Sequence, residues 1–175
     1  MANLSASDNY FRFFGLDQQF SIDLPALDQA YLAIQKEVHP DRHARSSESE
    51  QRLAMQLATL ANTAYQTLKN PVQRGLYLCH LHGVDAKLET NTAMPAAFLM
   101  KQIDWREKLD EQAENLAALE ILMEEVEHSK QEILLEIAQA LDHAQNYERA
   151  AELLRGLLFI DKFALELDDA IADLV

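Results

Sequence analysis

Turn-forming residues are scarce: 175 residues contain four glycines and four prolines. That composition is poor material for a sheet protein with many chain reversals, each of which needs a residue tolerant of turn geometry. There is one cysteine, Cys79, so an internal disulfide and every multi-cysteine zinc or cluster site are excluded, and a reducing compartment is expected. No apolar run has the length of a membrane span, and Met1 to Asp8 form neither a signal peptide nor an arginine-rich transit segment. A cytoplasmic protein without membrane association is expected. Positive charge is also short, with 15 Lys and Arg against 29 Asp and Glu and a formal net charge of −14. A nucleic-acid partner is not expected, because such binding rests on cations displacing counterions from phosphates.

What is abundant is Ala, Leu, Glu and Gln, which favour helices, so the expected fold class is all-α. The length suits one or two domains. Charge divides the chain: residues 1–92 hold 10 acids and 8 bases, whereas residues 93–175 hold 19 acids and 7 bases. Two regions with different electrostatic surroundings follow, although acidic helices are also simply soluble ones.

Apolar spacing fills in the elements. A short aromatic segment, residues 10–16, is closed by Gly15 and needs neighbours to hold its rings. Leu27, Tyr31, Ile34 and Val38 recur every three or four residues, with Asp23 as N-cap, Pro25 in the first turn and Pro40 as the stop. After a polar stretch, residues 42–49, a second stripe runs through Leu53, Leu57, Leu60, Ala61, Ala64 and Leu68. These two helices are expected to pair antiparallel. A fourth helix spans residues 71–82 and stops at Gly83, a linker covers residues 83–93, and three longer helices follow over residues 95–112, 116–143 and 147–174. The domains are therefore expected at residues 1–82 and 94–175, the second as a three-helix bundle.

Between the paired helices lies Val38-His39-Pro40-Asp41-Arg42. Alone, the tripeptide His39-Pro40-Asp41 reads as a proline helix stop with polar neighbours. Here it sits at the tip of a helical hairpin, after an aromatic segment and before Ala64-Tyr65-Gln66-Thr67-Leu68 and Asn70-Pro71-Val72-Gln73-Arg74. In motif, order and spacing, residues 9–82 resemble a J domain. The resemblance implies that His39, Pro40 and Asp41, with Lys36 and Arg42 beside them, dock on an Hsp70-class chaperone and stimulate its ATP hydrolysis. Pro40 would stiffen the tip, Asp41 can accept a bidentate bond from arginine, and His39 offers an imidazole for packing. The second helix departs from the usual basic pattern, since Glu37 and Asp28 accompany Lys36. Weak electrostatic steering and a dedicated chaperone are expected.

On the helical wheel of residues 95–112, Met94, Phe98, Trp105 and Leu109 make a core stripe, while Leu99, Met100 and Ile103 fall elsewhere with Asp104, Glu107 and Glu111. That second stripe is either a partner-binding face or the other side of a doubly buried helix. Phe159 points away from the core stripe of the last helix; it could join the same surface or the core. The segment from Ala97 to Glu111, together with Leu158-Phe159-Ile160-Asp161-Lys162-Phe163, resembles the C-terminal domain of HscB-type co-chaperones. The resemblance implies that Leu99, Met100, Ile103, Asp104, Glu107, Glu111 and Phe159 bind an iron–sulfur scaffold protein of the IscU type, presented to a chaperone of the HscA type. Asp104 stands where a longer glutamate is expected, which shortens the reach of the charge. A bacterial protein that handles a cluster carrier, itself neither enzyme nor holder of a metal or cofactor, is implied.

Two groupings point elsewhere. Cys79, His80 and His82 diverge around a helix and would not converge on a metal, so a buried structural cysteine is expected. Glu124 and Glu125 lack a nucleophile or phosphate loop nearby and read as a solvated face. A J protein with another client, an acidic hydrolase and a plain coiled coil are the competing readings.

Overall fold

A computed structural model describes residues 9–39, 42, 47–85 and 96–175. Every regular element among them is a helix, as the composition predicts. The chain divides into two units, Met1–Leu78 and Cys79–Val175.

In the first unit, α1 (Tyr10–Phe13) is too short to stand alone and is held from outside. Asn9 caps it by accepting the Phe11 N–H at 2.8 Å. Phe11 is wholly buried, and Tyr10 stacks on Tyr77 with ring centroids 4.5 Å apart. Gly15, at φ +69°, closes the turn so that the Leu16 N–H reaches the Phe11 carbonyl at 2.9 Å, a geometry that a side chain would strain.

α2 (Leu24–Val38) starts on Asp23, whose carboxylate accepts the Ala26 N–H at 3.0 Å. α3 (Glu48–Lys69) starts on a reciprocal cap: the Ser47 N–H donates to Glu50 and the Glu50 N–H donates to Ser47 Oγ. The polar stretch expected to run through Ser49 therefore ends at Ser47. Contacts reverse along the pair, with Asp28 meeting Lys69, Tyr31 stacking on Tyr65 at 4.1 Å and Gln35 donating to Asn62 at 2.7 Å. The two helices are thus antiparallel. Leu27, Ala61, Ala64 and Leu68 are fully buried between them, the alanines allowing close approach. Leu53 departs from the expected stripe: it is 55% exposed while Ala54 is buried. Ala54 lies whole heptads from Ala61 and Leu68 and shares their face. α4 (Pro71–Leu81) packs through Val72 and Leu78, and Arg74 donates to the Leu68 carbonyl at 2.6 Å beneath the Phe20 ring.

The second unit is a three-helix bundle of α5 (Ala96–Glu111), α6 (Leu116–Ala138) and α7 (Tyr147–Ala172). Both breaks carry asparagine caps, Asn115 accepting from the Ala118 N–H and Asn146 from the Arg149 N–H. α6 is prolonged by one π turn, Gln139–His143, before Gln145 turns the chain at φ +49°. Trp105, Leu119, Leu122, Val126, Ile160, Phe163 and Leu167 form the core, with Phe98 and Leu109 packed on its edge as the wheel predicts. Met94 lies outside the described residues. Burying the core apolar side chains contributes roughly 1.5–3 kcal/mol each. No helix among the described residues is long and apolar enough to cross a membrane.

Candidate partner-binding sites

His39 leaves α2 at φ −57° and ψ 131°, the extended geometry that a following proline imposes. It is exposed at the tip of the hairpin. Its carbonyl accepts the Arg42 N–H at 3.0 Å, and the Arg42 guanidinium donates to the Lys36 carbonyl at 3.3 Å. Lys36, His39 and Arg42 are thereby brought together on the exposed end of α2, while Pro40 and Asp41 lie outside the described residues. Asp28, read beside Lys36 in the sequence, is engaged by α3. Its carboxylate receives Lys69 Nζ at 2.7 Å and the Tyr65 hydroxyl at 2.9 Å. The hydrogen bond from Lys69, then that from Tyr65, holds the Asp28 pKa below its usual range, and Asp28 in turn raises that of Lys69.

The second stripe of α5 faces outward. Leu99, Met100 and Ile103 are 46%, 71% and 57% exposed, far more than a helix buried on two sides permits. Asp104, Glu107 and Glu111 are exposed on the same side. Packing fixes where Phe159 stands: Phe98 meets Gly156, Trp105 stacks on Phe163 and Arg106 pairs with Glu166. Those partners advance in step, so α5 and α7 run parallel and Phe159 stands level with Leu99 to Ile103. At 41% exposed, it extends the apolar patch from α5 onto α7.

The cations of α5 are each engaged by an acid or hydroxyl of the bundle. Lys101 donates to Ser129 at 3.0 Å, Arg106 pairs with Glu166 at 3.1 Å, and Lys108 bridges Asp104 and Glu125 at 2.8 and 2.9 Å. The face keeps an apolar centre with an acidic rim, and Asp104 is partly neutralised from behind. The sequence carries a signal for this contact, since Lys108 stands four residues beyond Asp104, the spacing of a helical ion pair.

Glu125 corrects the expectation of a solvated pair. Glu124 is exposed, whereas Glu125 accepts the Trp105 indole N–H at 2.9 Å as well as Lys108. Those bonds, that from Lys108 first, lower its pKa. Cys79 is buried with its thiol toward the Tyr147 carbonyl at 3.6 Å, and burial pushes its pKa up to about 11. It is a packing residue, as expected, and no three His, Cys, Asp or Glu side chains among the described residues gather as a metal site.

Known proteins match this arrangement over nearly its whole length. The family described as the HSCB C-terminal oligomerisation domain matches residues 94–168. A co-chaperone protein HscB homolog from Ralstonia nicotianae is 46% identical over 169 residues, 95% of this chain and 96% of its own. Another from Burkholderia thailandensis is 43% identical over 166 residues, 94% of each chain. The solved structure of chaperone HscB from Vibrio cholerae is 34% identical, with a TM-score of 0.83 over 96% of this chain and 100% of that one. The human co-chaperone HscB is 29% identical, with a TM-score of 0.86 over 94% of this chain and 82% of that one. The hairpin unit is a J domain, the acidic bundle is its C-terminal partner, and the chain belongs to the HscB family of co-chaperones.

Proposed function

We propose that this protein delivers an iron–sulfur scaffold protein of the IscU type to a dedicated Hsp70-class chaperone of the HscA type and stimulates that chaperone's ATPase. In this reading residues 1–82 act as the trigger, residues 83–93 as linker and residues 94–175 as the client holder. His39, Pro40 and Asp41, flanked by Lys36 and Arg42, engage the chaperone and bias its conformational equilibrium, so the chain performs no catalysis and needs no metal or cofactor. Leu99, Met100, Ile103 and Phe159 bury apolar surface against the client, and Asp104, Glu107 and Glu111 meet its basic groups. The bacterial cytoplasm is the compartment proposed.

One observation carries the reading: an HscB-family chain exposes four large apolar side chains as one acid-rimmed patch across α5 and α7. Exposed apolar patches with polar rims mark interaction surfaces. The test is chaperone ATP turnover measured alone, with this protein, and with this protein plus scaffold. Stepwise acceleration is expected; turnover indifferent to this protein would refute the proposal.

A further inference from the structure

The C-terminal bundle holds seven lysines and arginines among 19 acids, and six of the seven are engaged within the protein. Lys101, Arg106, Lys108, Lys130 and Arg149 each contact an acid or hydroxyl, and Arg155 is buried with interactions of its own. Lys162 is exposed and has no partner among the described residues. Its isolation has a structural cause. The neighbouring Asp161 is taken by Lys130 at 2.7 Å, and Glu166, one turn on, by Arg106 at 3.1 Å.

Its place gives the isolation meaning. Three residues beyond Phe159, Lys162 occupies the adjoining position on the same side of α7. The parallel register of α5 and α7 sets it level with Asp104. The exposed patch therefore has an apolar centre, acids along its α5 edge and one uncommitted cation along its α7 edge.

We propose that Lys162 is a specificity-determining contact, which takes a carboxylate of the client at the rim opposite Asp104, Glu107 and Glu111. This rests on the client reading of the patch. A uniformly acidic face accepts any basic partner; a cation on one rim penalises partners without an acid opposite it and fixes the orientation in which the client docks. The patch itself supplies the occupant's chemistry: apolar in the middle, basic toward α5 and acidic toward α7.

The full chain and four variants, Lys162→Glu, Lys162→Met, Lys162→Arg and Leu99→Ala, would be titrated by calorimetry against a purified IscU-type scaffold at two salt concentrations. Charge reversal is expected to weaken binding about ten-fold and neutralisation about three-fold, while arginine restores it, as rim charges do. The loss in the reversal variant shrinks at high salt, and melting temperatures stay at wild type because Lys162 supports no internal contact. Wild-type affinity in Lys162→Glu beside weakened binding in Leu99→Ala overturns the role of Lys162 alone. Wild-type affinity in both overturns the client reading of the patch as well.

Discussion

The indole N–H of Trp105 donates to Glu125 Oε1 at 2.9 Å, although the Trp105 ring itself is fully buried. A buried tryptophan needs such a partner, since an unsatisfied indole N–H costs the desolvation of that group. Glu125 also holds Lys108, and Lys108 holds Asp104 on the candidate client face. The bundle core and the edge of that face are thus connected through three polar contacts.

Glu125→Ala is expected to destabilise the protein by about 1–2 kcal/mol, because it strands the Trp105 donor. Equilibrium denaturation followed by Trp105 fluorescence reads both the stability and the altered surroundings of the ring. Glu125→Gln, which retains an acceptor, should lose less. Equal losses would mean that the hydrogen bond contributes nothing.

Stability should fall off at both ends of the pH range. Asp28 and Glu125 have folded pKa values depressed mainly by hydrogen bonds from Lys69 and Lys108. Their contribution is fully present above the unfolded carboxylate pKa and is lost as pH falls through the folded one. Lys69 and Lys108 are raised chiefly by the hydrogen bonds they donate to Asp28 and Asp104. Theirs is present below the unfolded lysine pKa and is lost as pH rises through the folded one. All these groups are partly exposed, so both limbs should be shallow and flatten in salt. Urea midpoints across pH test this, and an acid limb unchanged by Asp28→Asn would contradict the role given to that pair.

Gly156 sits inside α7, where an added Cβ would meet the Phe98 ring at 3.5 Å, an ordinary contact. Gly156→Ala should therefore raise stability by about 0.5–1 kcal/mol through the lower entropy of the unfolded chain. Calorimetric melting checks it, and a lower melting temperature would show that Phe98 cannot yield.

Leu99→Ala combined with Met100→Ala should weaken scaffold binding by about 2 kcal/mol or more, as truncation of an interface hot spot does. Stability should hardly change, because both side chains are exposed. Isothermal titration beside thermal melting separates the two. Lost stability with retained affinity would make these residues structural.

Much of the fold was legible in local chemistry. Asp23, Pro25 and the apolar spacing located α2, and the separate faces of Phe98 with Trp105 and of Leu99 with Met100 emerged from helical geometry. What escaped depended on choices made in three dimensions. Leu53 and Ala54 both fit a stripe, and only the packing of α2 on α3 selects Ala54. The π turn at Gln139–His143 leaves Ile137, Ala140 and Leu141 buried in a spacing that an uninterrupted α-helix also satisfies. Glu125 and Glu124 are alike in sequence, and only the packing of α5 on α6 sets the Trp105 indole against Glu125. The isolation of Lys162 depends on which acids its neighbours Lys130 and Arg106 claim, and no spacing encodes that.

In the proposed function one molecule must hold the client and trigger the chaperone together. A mixture of His39→Gln, expected to bind scaffold without stimulating, and Leu99→Ala/Met100→Ala, expected to stimulate without binding scaffold, tests it in a steady-state ATPase assay with chaperone and scaffold present. The mixture should stay well below wild type, near the level that the Leu99→Ala/Met100→Ala variant reaches alone. Restoration of the full wild-type rate would refute this coupling, because the two activities would then work on separate chains.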